Sequence, residues 1–243
     1  MKKKLLASLL VGSAVVGASL APLSAQATTT GTTPVTVGIE GGTLPDGDGP
    51  TPNTVRPDPD AKNNNFDLLF IPSGFNFGKL SITDDLTKPI PNKTDAGLHG
   101  YREAIGVGDL RGTKEGWHLT AQSNGMTLGN EKLQGNIVVG SMNRYDLAYD
   151  EVSKKYNYLT VDVSAPTTRP EMPTSINWTL DLGGDAKLLA NATTGKGQGL
   201  WQFSMLDTVL NLTTTANEIK AGNYTGTITW NLVAGPSTPA PAN

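Results

Sequence analysis

The sequence predicts an all-β fold, an antiparallel β-sandwich of the immunoglobulin-like or Greek-key type with long loops and little helix. From Phe66 onward, short runs of β-branched, aromatic and leucine residues alternate with Gly, Asn, Asp and Pro. Apolar residues show poor helical periodicity throughout, and only one short helix or turn is expected, around residues 185–191. The segment 66–236 is long enough to bury about 70% of its unfolded surface as one domain.

The first 27 residues have the layout of a signal peptide. Lys2, Lys3 and Lys4 precede an uncharged apolar run over residues 5–20, and Ala25-Gln26-Ala27 fits a small-x-small cleavage site. The apolar run is short for a membrane span. We therefore expect a secreted protein whose mature chain starts at Thr28 and carries no built-in covalent or membrane anchor. The absence of cysteine fits an exported protein of a Gram-positive bacterium.

Residues 28–65 have the composition of a disordered linker. Six prolines lie among Gly, Thr, Asp and Asn, and no aromatic residue occurs before Phe66. Such a segment buries too little apolar surface to offset the entropy of ordering it, and its prolines favour an extended spacer. The last residues, 237–243, are predicted to be a disordered tail.

Within 66–236 the pattern of apolar runs predicts the strands in order. They are expected over residues 66–71, 80–83, 103–107, 116–122, 135–142, 159–163, 175–182, 200–205, 209–213 and 224–233.

The charge of the chain limits its partners. The formal net charge is −3, and loss of the signal peptide removes three lysines and no acidic residue, which leaves −6. A mildly acidic surface argues against nucleic acid, anionic membranes and anionic wall polymers as partners.

Three of the four tryptophans are followed two residues later by leucine: Trp117-His118-Leu119, Trp178-Thr179-Leu180 and Trp230-Asn231-Leu232. Residues i and i+2 of a strand point to the same face, so each triplet sets an aromatic beside a branched aliphatic side chain. The triplets are unequally spaced and the sequence between them does not repeat, which argues against a repeat architecture.

Two neighbourhoods of these triplets carry further information. Asp109 and Arg111 would share a face if they lie in a strand. An exposed ion pair contributes little to the stability of the fold, so its role would be to orient the two side chains. Upstream of the last triplet, residues 224–232 alternate cleanly: one face carries Tyr224, Ile228, Trp230 and Leu232, and the other carries Thr and Asn. This pattern predicts a sheet with one face on the core and one in water.

The sequence offers little for catalysis. It has no cysteine, no Gly-x-Ser-x-Gly motif and two histidines, His99 and His118, which are too few for a zinc site without a further motif. Carboxylates are numerous, but nothing marks a pair suited to glycoside hydrolysis. We therefore expect no enzymatic activity, no catalytic residue, no metal and no cofactor.

The motifs resemble the WxL domain of Gram-positive surface proteins. The resemblance rests on Gly116-Trp117-His118-Leu119-Thr120 with the preceding Asp109-Leu110-Arg111-Gly112, and on Ile228-Thr229-Trp230-Asn231-Leu232 followed by Pro236. Phe75-Asn76-Phe77-Gly78 looks like the entry turn of the family. The resemblance covers the chain from about Phe66 to Pro236. The triplet Trp178-Thr179-Leu180 matches neither family motif, and we interpret it as an extra core strand.

The resemblance implies non-covalent attachment to the cell wall, through peptidoglycan, as a secreted protein associated with the cell surface. It further implies assembly with other WxL proteins and with a membrane-anchored WxL-interacting protein, and it suggests adhesion, including contact with host extracellular matrix. The wall-binding motif would comprise Trp117, Leu119, Trp230 and Leu232, with Asp109, Arg111 and Tyr224 in support.

The motif residues allow two physical interpretations. Trp and Leu on one face suit a sandwich core, because a buried aromatic removes some 150–250 Å² from water; an exposed indole could instead stack on a sugar ring. Three hypotheses follow: a wall-binding module, a protein–protein module retained by its partner, and, with the least support, a carbohydrate-active enzyme.

Overall fold

The computed structural model describes residues 32–93, 102–159 and 171–237. Contacts between Cα atoms separate residues 1–38 from residues 39–243. In the first unit, residues 32–38 are exposed and lie outside any helix, turn or strand. All strands of the described residues lie in the second unit.

The larger sheet of the second unit has eight antiparallel strands. Its main path runs β1-β2-β4-β13-β8-β11, while β3 pairs with β13 and β9 pairs with β8. Its strands are β1 (Thr54–Val55), β2 (Phe66–Pro72), β3 (Ile90–Pro91), β4 (Ala104–Asp109), β8 (Gly135–Asp150), β9 (Lys155–Tyr158), β11 (Trp178–Asp181) and β13 (Gly199–Leu212).

A second sheet covers one face of the first. It has four antiparallel strands in the order β10-β12-β5-β14, namely β5 (Trp117–Ser123), β10 (Thr174–Ser175), β12 (Lys187–Ala192) and β14 (Ile228–Ala234). A small hairpin pairs β6 (Met126–Leu128) with β7 (Glu131–Leu133), and Ala216–Glu218 form one turn of 3₁₀ helix.

The main core lies between the two large sheets. It takes side chains from β4, β8, β11 and β13 on one side and from β5 and β12 on the other. Alternation along the strands explains this placement: Trp117, Leu119 and Ala121 of β5 are buried, while the residues between them are more exposed. The expected all-β antiparallel sandwich is confirmed.

Most of the predicted strands within 66–236 are present. The strands expected over 66–71, 103–107, 116–122 and 135–142 correspond to β2, β4, β5 and the first half of β8. The strand expected over 175–182 is divided between β10 and β11, and that over 224–233 starts at Ile228. The two strands expected over 200–205 and 209–213 form the single strand β13, because β8 pairs with residues on both sides of Asp207, which has a φ of 53°.

The expected helix or turn at residues 185–191 is wrong. Residues 187–192 form β12, which pairs with the central strand β5. Leu and Ala favour helix on their own. Here residues 187–192 instead form backbone hydrogen bonds with β5 and bury apolar side chains in the main core. A bulge between Leu188 and Ala190 buries both Leu189 and Ala190.

The strand expected over residues 80–83 is also absent. Ile82 and Thr83 lie in a turn, Leu80 and Ser81 lie outside any element, and Leu80 and Ile82 are exposed. The Asp84 carboxylate accepts a hydrogen bond from the backbone N–H of Ser81 at 2.7 Å, and such local bonds compete with strand pairing. Of the strand expected over 159–163, Leu159 lies outside any strand and the rest falls outside the described residues, as does His99.

The second half of the expected linker is folded onto the domain. Leu44 is 2% exposed and joins Leu69, Phe70, Leu147 and Tyr156 in a second, smaller core. Its backbone N–H donates to Asn64, and β1 pairs with the end of β2. The domain therefore begins well before Phe66. One large apolar residue and several backbone hydrogen bonds order a segment that its average composition describes as disordered.

Candidate functional site

The two motifs that carry the family resemblance lie on neighbouring strands. β14 pairs with β5 in antiparallel register, so that Leu232 is opposite Leu119 and Trp230 is opposite Ala121. The side chains of Trp117, Leu119, Trp230 and Leu232 point toward the interior layer. One motif, however, lies on a central strand and the other on the outermost strand of the sheet.

Trp117 is sealed inside the core. It is 0% exposed and meets Phe203 edge-on, with ring centroids 6.0 Å apart. Its indole N–H donates to the carbonyl oxygen of Gly197 at 2.9 Å, and the indole of Trp201 donates to the same oxygen at 2.9 Å. Gly197 has a φ of +79°, and a Cβ there would lie 2.5 Å from the Trp117 nitrogen. Trp117 is therefore a packing residue without access to ligand.

Asp109 and Arg111 form a buried ion pair beside this tryptophan. The guanidinium donates to both carboxylate oxygens of Asp109 at 2.9 Å and to the carbonyl of Gly116 at 3.1 Å. It also contacts Glu115 and lies 3.7 Å from the centre of the Phe66 ring. The hydrogen bonds to Asp109 raise the pKa of Arg111. This pair is not the exposed pair that the sequence suggested; it holds the end of β4 against the start of β5.

The glycine before the first motif is required by the same junction. Gly116 has a φ of +82°, and a Cβ on it would lie 2.2 Å from the carbonyl oxygen of Ala192. Only glycine fits both that backbone conformation and that distance. The sequence Asp-x-Arg-Gly, together with the following Gly-Trp, therefore stabilises the connection between β4 and β5.

Trp230 is the tryptophan that reaches the surface. It is half-buried, whereas Trp117, Trp178 and Trp201 are buried. Its ring meets Trp178 edge-on at 6.3 Å and Phe75 at 6.5 Å with a tilt of 38°. The core thus holds one side of the indole, while the rest borders two concave surfaces.

The first concave surface, which we call the aromatic hollow, has a volume of about 380 Å³. The last strand, the family's entry turn and the β5–β6 turn form its wall, which contains no charged residue. It is lined by Ile71, Pro72, Ser73, Gly74, Phe75, Phe77, Ser123, Gly125, Met126, Ile137, Tyr224, Thr225, Gly226, Thr227, Ile228 and Trp230.

The backbone geometry of the hollow depends on a close crossing of two segments. A Cβ on Gly226 would lie 1.8 Å from the carbonyl oxygen of Gly125, so the segment before β14 passes directly over the turn after β5. Thr127 and Thr225 exchange backbone hydrogen bonds at 2.8 and 3.0 Å. The Tyr224 hydroxyl donates to the carbonyl of Lys220 at 3.1 Å, which fixes the ring at the rim.

The second concave surface, which we call the edge groove, has a volume of about 320 Å³. It lies between β14 and the start of β2, and the loop before β2 closes it. Its lining consists of Pro57, Asp58, Ala61, Lys62, Asn63, Phe66, Asp67, Leu68, Trp230, Asn231 and Leu232.

The predicted residues therefore separate into two groups. Asp109, Arg111, Trp117 and Leu119 are buried or nearly so at the β4–β5 junction. Trp230, Leu232 and Tyr224 are partly exposed and line the hollow, the groove or both. The sequence missed the contributions of Met126, Ile137 and Thr227, because these residues reach the hollow only through the pairing of distant strands.

His118 has a backbone partner at the end of the last strand. The His118 Nδ1 atom lies 2.9 Å from the carbonyl oxygen of Gly235, which ties β5 to the end of β14. Among the residues that the structure describes, no three His, Cys, Asp or Glu side chains are grouped in a way that could hold a metal ion.

A comparison with family models gives the identity of this architecture. The model described as "WxL domain surface cell wall-binding" matches residues 25–236, nearly the whole chain. The chain belongs to the WxL family. No curated protein and no solved structure matches it. The match begins before Phe66, in agreement with the folded segment 39–65.

Membership places this WxL protein at the cell surface, with cell-wall components as its binding partners. In the described parts of the chain, no helix has the length and apolar character needed to cross a membrane.

Proposed function

We propose that this WxL domain attaches non-covalently to the cell wall by binding the glycan strands of peptidoglycan in the aromatic hollow. The observation that carries the proposal is the half-buried Trp230, whose indole borders the hollow while the other three tryptophans are buried. Ligand pockets are lined predominantly by hydrophobic and aromatic side chains with a few polar groups, and an accessible indole held by the core fits that pattern.

The lining of the hollow suits a neutral sugar chain. Phe75, Tyr224 and Trp230 offer aromatic surfaces to the apolar faces of pyranose rings, and Ser73, Thr225 and Thr227 place hydroxyl groups nearby. No charged residue lines the hollow, and the chain is acidic overall. These features favour the uncharged part of the glycan over an anionic wall polymer.

Sedimentation with purified peptidoglycan sacculi tests this proposal. Trp230→Ala should abolish most of the bound fraction while the domain remains folded by circular dichroism. The matched control is Tyr158→Ala, because Tyr158 is also a partly exposed aromatic residue, 45% exposed, but lies on β9 outside the lining of the hollow. Full retention of binding by folded Trp230→Ala would contradict the proposal.

We also propose that the domain binds without catalysis, as expected from the sequence. The residues that line the hollow include no carboxylate, histidine or lysine that could transfer a proton to or from a glycosidic oxygen. Incubation with wall fragments should release no soluble sugar or peptide, and release that depends on Trp230 would overturn this proposal.

A second candidate is retention by protein partners within a multi-protein surface complex. The partner would be a membrane-anchored WxL-interacting protein or another WxL protein, and the complex could serve adhesion to host matrix. The open outer edge of β14 beside the edge groove favours a protein contact. Binding of the purified domain to sacculi in the absence of any partner would count against partner-dependent retention.

A further inference from the structure

We infer that residues 34–39 of one copy of this chain add as an extra strand to the outer edge of β14 in a second copy, along the edge groove. The inference goes beyond wall binding, because it concerns assembly of the protein with itself. It rests on two features of the same chain: the outer edge of β14, which pairs with no strand in the described parts, and residues 34–39, which have a strand-like sequence pattern but lie outside any strand.

The unused edge is that of the last motif strand. Gly235 N–H donates to Gly116, and Asn124 N–H donates to Thr227, both at 3.0 Å. In the antiparallel register of β14 with β5, the odd-numbered residues from 227 to 235 therefore bond to β5. The backbone groups of Ile228, Trp230, Leu232 and Ala234 point the other way. In the described parts of the chain, β14 is the last strand of this sheet, and no strand pairs with its outer edge.

This edge lacks the protection that a strand can carry in its own length and sequence, although the loop before β2 borders the groove beside it. The other strands that end a sheet path in the described parts have two to four residues, whereas β14 has seven; they are β1, β6, β7, β10 and β11. β14 contains no lysine, no proline and no charged residue. Such an edge readily pairs with another strand, so its persistence in a secreted protein indicates that a strand covers it.

The groove beside the edge has room for side chains of an added strand. It is about 320 Å³ in volume and runs past Trp230 and Leu232 toward Phe66 and Leu68 of β2. An added strand would direct alternate side chains into this groove and the others to solvent. The incoming strand therefore needs apolar residues at every second position.

Residues 34–39 have this pattern and lack any partner strand in the structure. Val35, Val37 and Ile39 alternate with Thr36 and Gly38, and their exposed fractions are 91%, 84% and 89%. β-branched residues in alternation favour strand conformation, and three exposed apolar side chains in a row along one face are costly in water. Pro34 precedes the pattern, where its missing N–H does not interrupt a ladder.

The donor and the acceptor match in length and charge. The donor has six residues against seven in β14, and neither strand carries a charged side chain. The charged residues of the groove, Asp58, Lys62 and Asp67, belong to β2 and the loop before it. Burying Val35, Val37 and Ile39 would cover the parts of Trp230 and Leu232 that line the edge groove, and would leave the side of Trp230 that lines the aromatic hollow open. Because the donor and the acceptor are different surfaces, the contact is head-to-tail, and it generates a ring or an open chain of molecules.

Targeted disulfide formation tests the pairing directly, since the chain contains no cysteine. Thr36 and Asn231 lie on the solvent faces of the proposed ladder. Oxidation of a mixture of full-length Thr36→Cys and Asn231→Cys chains should give a cross-linked heterodimer. The control mixture replaces Asn231→Cys by Ser153→Cys in the exposed β8–β9 turn. A yield no higher than that of the control would overturn the inference, as would an internal cross-link in a chain that carries both Thr36→Cys and Asn231→Cys.

Sedimentation velocity over a range of concentrations gives an independent test with a matched pair of variants. Val37→Asp places a charge on the face that enters the groove, and should raise the dissociation constant of self-association by about tenfold or more. Thr36→Asp adds the same charge on the solvent face and should change the constant little. Equal effects, or a monomeric wild type at all concentrations, would contradict the pairing. Monomeric Val37→Asp should still sediment with sacculi, so the outcome is separate from that for the aromatic hollow.

Discussion

Trp117 and Trp230 occupy the same position of the same motif but have different surroundings. Trp117 lies on a central strand, and its indole N–H bonds to Gly197 inside the core. Trp230 lies on the outermost strand and borders two concave surfaces. Replacement of Trp117 by alanine would remove a fully buried indole at a cost of about 3–5 kcal/mol, so loss of wall binding in that variant would report unfolding.

We predict that Trp230 gives most of the tryptophan emission that a neutral quencher can reach. The other three indoles are at most 4% exposed. Acrylamide should quench the wild type far more than Trp230→Phe, whereas Trp178→Phe should quench like the wild type. A Trp230→Phe protein that is quenched as strongly as the wild type would place the accessible indole elsewhere.

The ion pair between Asp109 and Arg111 should contribute strongly to stability. Its side chains are 2% and 10% exposed, so Arg111→Leu leaves a buried carboxylate without its partner and should lower the unfolding free energy by about 3–5 kcal/mol. Urea denaturation measures the change. Lys154→Leu removes the exposed partner of Glu151, with side chains 66% and 75% exposed, and should leave the midpoint almost unchanged. Similar midpoints for both variants would contradict a buried pair.

For single residues, the sequence identifies the structurally important positions more reliably than it predicts their burial and contacts. The paired spacing of Asp109 and Arg111 is visible in the sequence, but their burial depends on Phe66 and Gly116, which approach only in the fold. The alternation of β14 likewise identifies the face of Trp230. The partial exposure of Trp230 follows from the position of β14 at the end of the sheet. The alternation of residues within one strand does not reveal the order of strands in a sheet.

Among the elements, the β8–β9 hairpin and the segment before β1 depend on each other. The hydroxyl of Tyr156 donates to the carbonyl of Pro45, and that of Tyr149 donates to the carbonyl of Asp46 at 2.7 Å. The backbone N–H of Tyr156 donates to Asp48 at 2.9 Å. The hairpin therefore holds the proline-rich segment against the second core.

This contact should make the protein sensitive to alkaline pH. Burial raises the pKa of Tyr156 well above its usual value. The folded state thus keeps a proton that the unfolded chain loses above a pH of about 10. The contribution of Tyr156 to stability should be constant below that pH and fall as the pH rises above it. Thermal melting from pH 8 to 11 should show this fall, and Tyr156→Phe should reduce its slope. A wild type without the fall would contradict the burial of Tyr156.

The predicted elements that failed share a physical cause. Residues 187–192 have helical propensity but cover the edge of β5, and residues 80–83 have strand propensity but bond locally to Asp84. In each case a contact outside the local pattern decides the conformation. The long alternating segments β5 and β14 were predictable because both faces have definite surroundings.

For the whole molecule, the domain boundary is the main departure from the sequence prediction. Average composition over residues 28–65 indicates a linker, yet Leu44 supplies the apolar contact and residues 42–55 the hydrogen bonds that fold 39–65 onto the strands. Residues 32–38 are exposed and lie outside any strand.

We therefore predict that stability depends sharply on where the chain is made to begin. When both are monomeric, a protein that starts at Ile39 should melt at the same temperature as one that starts at Thr28, because residues 32–38 are exposed and outside any strand. One that starts at Asn53 loses Leu44 and uncovers Phe70 and Tyr156. The cavity left by Leu44 alone costs about 2–5 kcal/mol, so this shorter protein should melt many degrees lower. Calorimetry distinguishes the two, and full-length Leu44→Ala is the matched control that should reproduce part of the loss. Equal melting of all the proteins would mean that residues 39–52 do not belong to the folded domain.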